Sequence, residues 1–546
     1  MRKFLILLLC FTVCLPAAFG ASAAKPALPD NIYFRAMRDE MDRTLKKLRS
    51  KNAPAPYYVA YKLSRQFEFS MDASLGELFS EKTEPVERLS AAVILGVGSD
   101  KNDQLGFDNN RFYYMPSSRA FVGDSYDAIR HALWHLTDAE YIISLDSYVK
   151  KQAYKRKKQL PADLPDVTPA PQAAVFEDKG TFAVPDAAKW GKILKRLSAQ
   201  GKTVSQLEDF GVFFQVDARE DYYLNSLGGA YQIPFTRAKL TLYAQLRNKD
   251  GYEQSFNETV SIPDYLNPDE KELTEKTDAF LTEMAERYNA YKAETYLGPV
   301  LFRPRAAAAF IMDNFVLAVE NVKPLLSDEY EQDETAGWFR EKKGMRVLSN
   351  VLDISDKPLL REYKGLPLVY MPVDDEGVPS QDLQLTSLGR LRVFPLSRRP
   401  LGEDHHSNGH ARLSGHSYPR ERLTNVFVQA KAPLTEEALN GEFLEMCRDW
   451  EQEYCYEVES FGSSNKTNRA WRVYTEDGRR VPAYGLDFSN LLSRSLRDIA
   501  AVGGEEQVFY GAGDGNTVIT PSLLLEEAEI LPADAKPDQA RFVPKP

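Results

Sequence analysis

Between Arg361 and His410 the chain alternates apolar and polar residues around closely spaced turn formers, and no helix fits that pattern. The stretch begins REYKGLPLVYMPVDDEGVPSQDLQLTSLGRLRVFPLSR and closes with SNGH. Asp374-Asp375-Glu376-Gly377-Val378-Pro379 separates two alternating segments, and Leu388-Gly389-Arg390 marks a second reversal. Glycine supplies positive φ, and Asp or Asn side chains bond their own backbone two residues on. The pattern predicts a β-meander of period two.

Upstream, other periods appear. Phe34, Met37, Met41, Leu45 and Leu48 recur at spacings of three and four, which predicts a helix over 32–49 capped by Asp30 or Asn31. Pro54 and Pro56 end it. Strand-like runs follow at 57–63, 67–75 and 89–98, then a long helix from about Asp124-Ser125 to Lys157. QLPADLPDVTPAPQ is proline-rich and poor in large apolar groups, so 159–175 reads as a linker or surface loop. Beyond it come a helix at 186–199, strands at 209–216, 220–225 and 231–247, and a helix at 268–293. The chain thus divides into a leader (1–24), an N-terminal domain (25–158), the linker, a middle region (176–295) and a sheet-rich C-terminal domain (296–546). The fold class is α+β.

The first residues, MRKFLILLLCFTVCLPAAFGASAA, combine a basic start, an apolar core and small residues, the pattern of a secretory signal peptide. Export to the periplasm or outside the cell is the expectation. No other apolar run approaches the ~18 residues of a spanning helix, so no transmembrane anchor is expected after cleavage. The formal charge of −11 becomes −13 once Arg2 and Lys3 leave, which argues against nucleic-acid partners. Of four cysteines, Cys447 and Cys455 remain after cleavage. On one helix, eight residues apart, they would be ~12 Å apart and unable to pair. A helix ending near Glu453 and a strand from Tyr454 would bring them together. A disulfide and two buried thiols both stay open.

The segment DEGVPSQ…L…G-R-L…SR…SNGH resembles the C-terminal domain of the TldD/PmbA family, which contains zinc metallopeptidases. AMRDEMDRTLKKL, PYYVAYKL, YDAIRHALWHLTDAEY and YYLNSLGG resemble further family phrases, extending the likeness over nearly the whole mature chain. The catalytic members carry His-Glu-x-x-x-His at the start of a helix, where two imidazoles bind zinc and the glutamate polarises water. The matching place here is VLFRPRAAAAF. Arg303 and Pro304 stand where His and Glu would be, and Ala308 takes the second His position. No His-Glu pair exists among the six histidines. A structural reading accounts for the segment without metal, since Pro suits a first helical turn and alanines favour helix.

Other candidate residues remain. Asp404-His405-His406-Ser407-Asn408-Gly409-His410, with His416, is dense in imidazoles, which suit transition metals. The resemblance places Asn408, Gly409 and His410 near a cleft, as candidate ligand contacts. His131 and His135, four apart on a helix, lack a third ligand and read as a surface pair. Asp374, Asp375 and Glu376 read as a solvated acidic turn. Gly511 to Gly515 precedes a strand, not a helix, so it is no phosphate cradle. No P-loop, dinucleotide fingerprint or nucleophile elbow occurs.

The resemblance implies a metallopeptidase-related protein without its own zinc site or other cofactor. It would act as the metal-free subunit beside a paralogous TldD-type partner, or as a peptide-binding partner, in a homo- or heterodimer. Two other readings stand beside it. One is an active zinc metallopeptidase with ligands rearranged to His405, His406 and His410. The other is a periplasmic scaffold or binding module with no peptidase role.

Overall fold

The computed structural model describes residues 27–79, 85–99, 103, 107, 119–160, 166–177, 182–323, 338–402, 404–413, 419–461, 467–488, 491–511 and 516–533. The expected leader, residues 1–24, lies outside them.

The N-terminal half is one large twisted sheet with helices on a single face. Helix α1 (Ile32–Lys47) starts where the Asn31 side chain accepts the Phe34 N–H, and it buries Phe34, Met37 and Met41. Strand β1 (Pro56–Ser74) is continuous. The sequence reads as two strands there, but Ser64-Arg65-Gln66 contains no breaker, and pairing runs unbroken from Ala60↔Asn225 to Ser74↔Gly211. The remaining elements are β2 (Val86–Val97), β3 (Arg119–Val122), α2 (Tyr126–Lys157), β4 (Ala174–Phe176), α3 (Ala187–Ala199), β5 (Leu207–Asn225), β6 (Ala230–Arg247), β7 (Glu253–Ser261) and α4 (Glu270–Arg287). Strand order is β3-β2-β1-β5-β6, with β4 and β7 at opposite ends of the outer edge of β6. Odd-numbered residues of β1 face the helices, as alternation requires. Val59, Tyr61 and Leu63 pack in the core that also holds α1 and α2 residues. Phe67, Phe69, Met71 and Ala73 pack in the core shared with α3 and α4.

This sheet corrects the expected division. The segments read as an N-terminal domain and a middle region share β1, β5 and β6, because neither helix pair can close its core without those long strands. The proline-rich stretch is likewise no free linker. Val167 and Thr168 are buried. The backbone pairs Thr168 N–H with Arg398 C=O (2.7 Å) and Ala173 N–H with Gly377 C=O (2.9 Å). Extended, donor-poor backbone suits a slot between two packed bodies.

The C-terminal half comprises β8 (Tyr296–Phe302), α5 (Pro304–Ile311), β9 (Leu352–Asp356), β10 (Asn425–Ala430), α6 (Glu436–Asp449), β11 (Tyr454–Phe461), β12 (Thr467–Tyr474), β13 (Arg480–Tyr484), β14 (Gln507–Tyr510), β15 (Thr517–Thr520) and β16 (Leu523–Pro532). They form two sheets, ordered β16-β8-β11-β12-β13 and β9-β10-β15-β14. One core joins them, with Val300, Leu301, Phe302 and the small face of α5 (Ala306, Ala307, Ala308) near its centre. A disulfide links Cys447 at the end of α6 to Cys455 in β11, with Cα atoms 6.2 Å apart.

The expected meander is present only in its turns. Its ladders are two residues long, Glu362–Tyr363 with Leu366–Pro367 and Thr386–Ser387 with Arg390–Leu391. Its alternating apolar residues pack onto the two domains rather than onto each other. At the second reversal Leu388 (φ 53°) and Gly389 (φ 68°) are both left-handed, which a tight two-residue hairpin demands. Among the described residues no helix is long and apolar enough to cross a membrane.

Candidate functional site

Two polar constellations lie where the halves meet. The first is the corner between β8 and α5. Strand β8 runs parallel to β11, so both carboxyl ends open on one side, a usual place for a site in such sheets. Pro304 occupies the first helical turn and Arg303 is the cap residue, its N–H donating to Val458 C=O (2.8 Å). The Arg303 guanidinium reaches three oxygens: Glu436 Oε2 at 2.6 Å, Asn440 Oδ1 at 2.8 Å and Glu457 Oε2 at 2.9 Å. Burial alone would favour the neutral form. The Glu457 and Glu436 carboxylates outweigh it and push the guanidinium further up, so it stays charged. Arg480 takes the other oxygen of Glu457.

Beyond Arg303 the pairing continues into the N-terminal half. Arg305 donates to Asn257 Oδ1 (2.8 Å) and to the Asn257 carbonyl on β7. Arg469 binds Glu258 and Glu283, and Glu283 also holds Arg287, whose guanidinium lies 4.4 Å from the Trp471 ring. Each of these carboxylates meets a guanidinium. The corner therefore holds its own cations on the chain, and the donor set that remains does not resemble a divalent-metal site. Among the described residues no group of three or more His, Cys, Asp or Glu converges for a metal ion.

The second constellation is the Asp374–Ser380 turn, which is buried rather than solvated. It plugs into the face of the N-terminal sheet opposite the helices, the face that carries Tyr58, Ala60, Tyr223 and Tyr231. Asp374 accepts the N–H groups of Glu376 (2.9 Å), Val378 (2.8 Å) and Ala411 (3.0 Å). Asp375 binds Lys62 Nζ (3.1 Å), the Tyr231 hydroxyl and the Leu413 N–H (2.6 Å). Glu376 accepts the Arg398 N–H (2.6 Å). From the other side Asn225 donates to the Glu376 carbonyl (3.0 Å) and to Gln172 Oε1 (2.8 Å), while its oxygen takes the N–H groups of Leu227 and Gly229. Burial, then the Glu376 charge, pushes the Asp374 carboxyl up to about 7. Burial also raises Glu376. Burial works to raise neighbouring Glu421 too, but Arg399, Lys323 and the Ser397 hydroxyl overcome it and hold that carboxyl at about 2. Tyr57, Tyr58, Glu376 and Arg398 line a cavity of about 10 Å³, room for one water and no larger ligand.

The SNGH loop seats on this turn. Gly409 (φ 77°) is pressed against Pro379 and Ser380, and the Ser380 hydroxyl donates to its carbonyl (2.8 Å). Asn408 is buried, bonded to Leu396 N–H and Phe394 C=O. His410 is fully buried against Asp356 (3.0 Å) and Asn408 (2.9 Å). His405 and His406 are exposed on the loop before it, so the three histidines do not come together. His131 and His135 are exposed around Trp134 on α2. His416 and residues 512–515 lie outside the described residues. Ala308 is buried in the core.

Against this geometry, a model of the PmbA/TldA metallopeptidase C-terminal domain matches residues 294–531. Residues 294–531 thus form a C-terminal domain of the PmbA/TldD type. No curated relative matches it. Among solved structures, TldE from Thermococcus kodakarensis superposes with a TM-score of 0.60 at 16% identity, over 91% of this chain and 100% of that one. A candidate modulator of DNA gyrase from Thermotoga maritima gives the same values. Another, from Bacteroides thetaiotaomicron, gives 0.59 at 12% identity, over 91% and 98%. At such identities the structures establish the shared TldD/PmbA fold alone.

Sequence reasoning missed several residues of both constellations. Glu436 and Glu457 lie 133 and 154 positions from Arg303, and nothing local marks them as its partners. Lys62, Tyr231 and Gln172 sit in ordinary strand and loop patterns. Asn225-Ser226-Leu227-Gly228-Gly229 did carry a signal, as the family phrase at a strand reversal.

Proposed function

We propose that this chain is an exported TldD/PmbA-family protein without a zinc site of its own. It acts in proteolysis as the non-catalytic subunit beside a TldD-type paralogue, or as a peptide-binding partner. One observation carries the reading: the corner that begins α5 is filled by the Arg303 guanidinium, bound to Glu436, Asn440 and Glu457. A cation fixed there repels a second one, and zinc needs at least three protein ligands. An open sheet edge supports the peptide role. β4 pairs with β6 only at Ala230–Gln232 and β7 only at Lys239–Arg247. Between them, among the described residues, no strand covers the outer edge at 233–237, where an extended peptide can add itself.

The test is a cleavage assay on an unfolded peptide with the mature chain alone, with a paralogue bearing His-Glu-x-x-x-His, and with both. Activity only when both are present, with co-elution of the two chains, supports the subunit reading. Chelator-sensitive cleavage by this chain alone replaces it with an active enzyme. Peptide binding without cleavage in any mixture leaves a binding module.

A further inference from the structure

On α2 the Lys151 side chain is only 1% exposed, and it meets Asp103, which follows β2 and is fully buried. Lys151 Nζ lies 3.3 Å from Asp103 Oδ1 and 3.1 Å from Asp166 Oδ2. The other Asp103 oxygen takes the Tyr57 hydroxyl (2.8 Å), and the Asp103 backbone N–H donates to Asp166 (3.0 Å). Asp166 also binds Lys155 (2.8 Å). Val167 beside it is buried, and so is Phe107, whose ring packs on Tyr154, one turn beyond Lys151. An amine and two carboxyl groups thus meet in a place screened from bulk water. Separated charges are costly there, and moving one proton from Nζ to Oδ1 removes both. Burial is the strongest influence on Lys151 and lowers its ammonium toward the neutral amine, against the pull of Asp103 and Asp166.

We propose that Lys151 and Asp103 join in an intramolecular isopeptide bond, formed by the chain itself with Asp166 as proton carrier and Tyr57 as donor to the oxyanion. The Nζ lone pair attacks Asp103 Cγ, and the C=O electron pair moves onto Oδ2, where the Tyr57 hydroxyl donates. Asp166 takes a proton from Nζ and returns it to Oδ1. The Cγ–Oδ1 bond breaks, water leaves and an Nζ–Cγ amide remains. One amine and one carboxylic acid give one amide and one water, so no oxidant, reductant or cofactor enters. Fixed contact between amine and acid supplies the driving proximity that free reactants lack. Another buried amine, Lys323, lacks this chemistry. Burial raises its partner Glu421, but Arg399, Lys323 and the Ser397 hydroxyl outweigh it and keep that carboxylate ionised, a poor acyl donor.

The two partners stand 48 positions apart, so the bond would tie the segment after β2 to α2. It would restrict the unfolded chain as a disulfide does, and no reductant would open it. The proposal stands apart from the peptidase-subunit reading and survives its failure.

The test is mass spectrometry of the full-length mature chain, purified folded, then reduced and denatured. The wild type is expected to weigh one water less than its sequence. Its tryptic digest should contain a branched peptide joining Asp103 to Lys151, with no cut after Lys151. A chain of full mass that is cut after Lys151 overturns the proposal, as does a water loss placed at any other pair. Lys151→Arg keeps the charge without the amine nucleophile and should restore the full mass; a persisting deficit also overturns the assignment. Asp166→Asn leaves both partners in place and should lose most of the branched peptide, and undiminished linkage removes Asp166 from the step. Should either variant fail to fold, the wild-type mass still decides.

Discussion

Adding one methyl group at Gly229 should unlock the joint between the two halves. A Cβ there would lie 2.6 Å from the Gly377 Cα, 2.5 Å from Gln172 Oε1 and 2.8 Å from Asn225 Nδ2. Real Cβ atoms do not approach other atoms so closely, and the Gly377 backbone cannot swing aside like a side chain. Gly377 belongs to the buried Asp374–Ser380 turn, so relief means withdrawing the turn or displacing Asn225. Overpacking of this kind costs about 1–3 kcal/mol. Loss of the Asn225 bonds to Gln172 and Glu376 adds about 1 kcal/mol each. Gly229→Ala should therefore destabilise the chain by roughly 3–5 kcal/mol. Gly377→Ala should cost about 1–2 kcal/mol more, because its φ of 82° is left-handed. Urea unfolding followed by fluorescence should show a lower midpoint, with protease cleavage gained in 166–173 as the joint loosens. Gly441→Ala is the control. A Cβ there meets nothing within 4 Å, and alanine in helix α6 should stabilise by up to about 1 kcal/mol. A Gly229→Ala midpoint equal to wild type would refute the steric argument.

Three further perturbations have calculable signs. Arg303→Leu leaves the buried Glu457 with Arg480 alone, and should cost about 3 kcal/mol in chemical denaturation; a cost below about 0.5 kcal/mol would place the ion pair outside the stability of the fold. Cys447→Ser/Cys455→Ser removes a short-loop crosslink worth about 2.5 kcal/mol in the chain-entropy account, so its unfolding midpoint should fall, and reductant should lower only the wild type. Acid and neutral limbs of stability have different owners. Asp374, raised to about 7 in the fold, holds a proton that the unfolded chain releases near 4, so its contribution is full below pH 4 and is lost as pH climbs to 7. Glu421, held at about 2, contributes above about pH 4.5 and loses that contribution as pH falls toward 2. Asp374→Asn should flatten the pH 4–7 slope of the unfolding free energy, and Glu421→Gln the acid one; unchanged slopes would contradict both assignments.

Local pattern disclosed local structure well. The Phe34/Met37/Met41 spacing, the Asn31 cap and the alternation along 57–75 reappear as α1 and β1 because each depends on neighbours within a turn or a pleat. Strand β7 escaped notice for the converse reason. Its buried residues, Phe256 and Val260, lie four apart among polar ones, and strand alternation does not stand out. The Asp374-Asp375-Glu376 run looked solvated because acidic turns usually are. Its burial depends on Lys62, 313 positions away from Asp375, and on the Asn225 turn. Arg303 was legible as an unusual residue at the start of α5, but its grip on Glu436 and Glu457 was not. Such pairs form only when the sheet brings α6 and β11 to the carboxyl end of β8.

The central claim is that Arg303 takes the place of a metal at that corner. Metal content of the mature protein, purified without a His-tag from zinc-replete medium, tests it most directly. The account predicts no tightly held zinc in the wild type. One zinc bound per chain, and lost in His410→Ala, would contradict it.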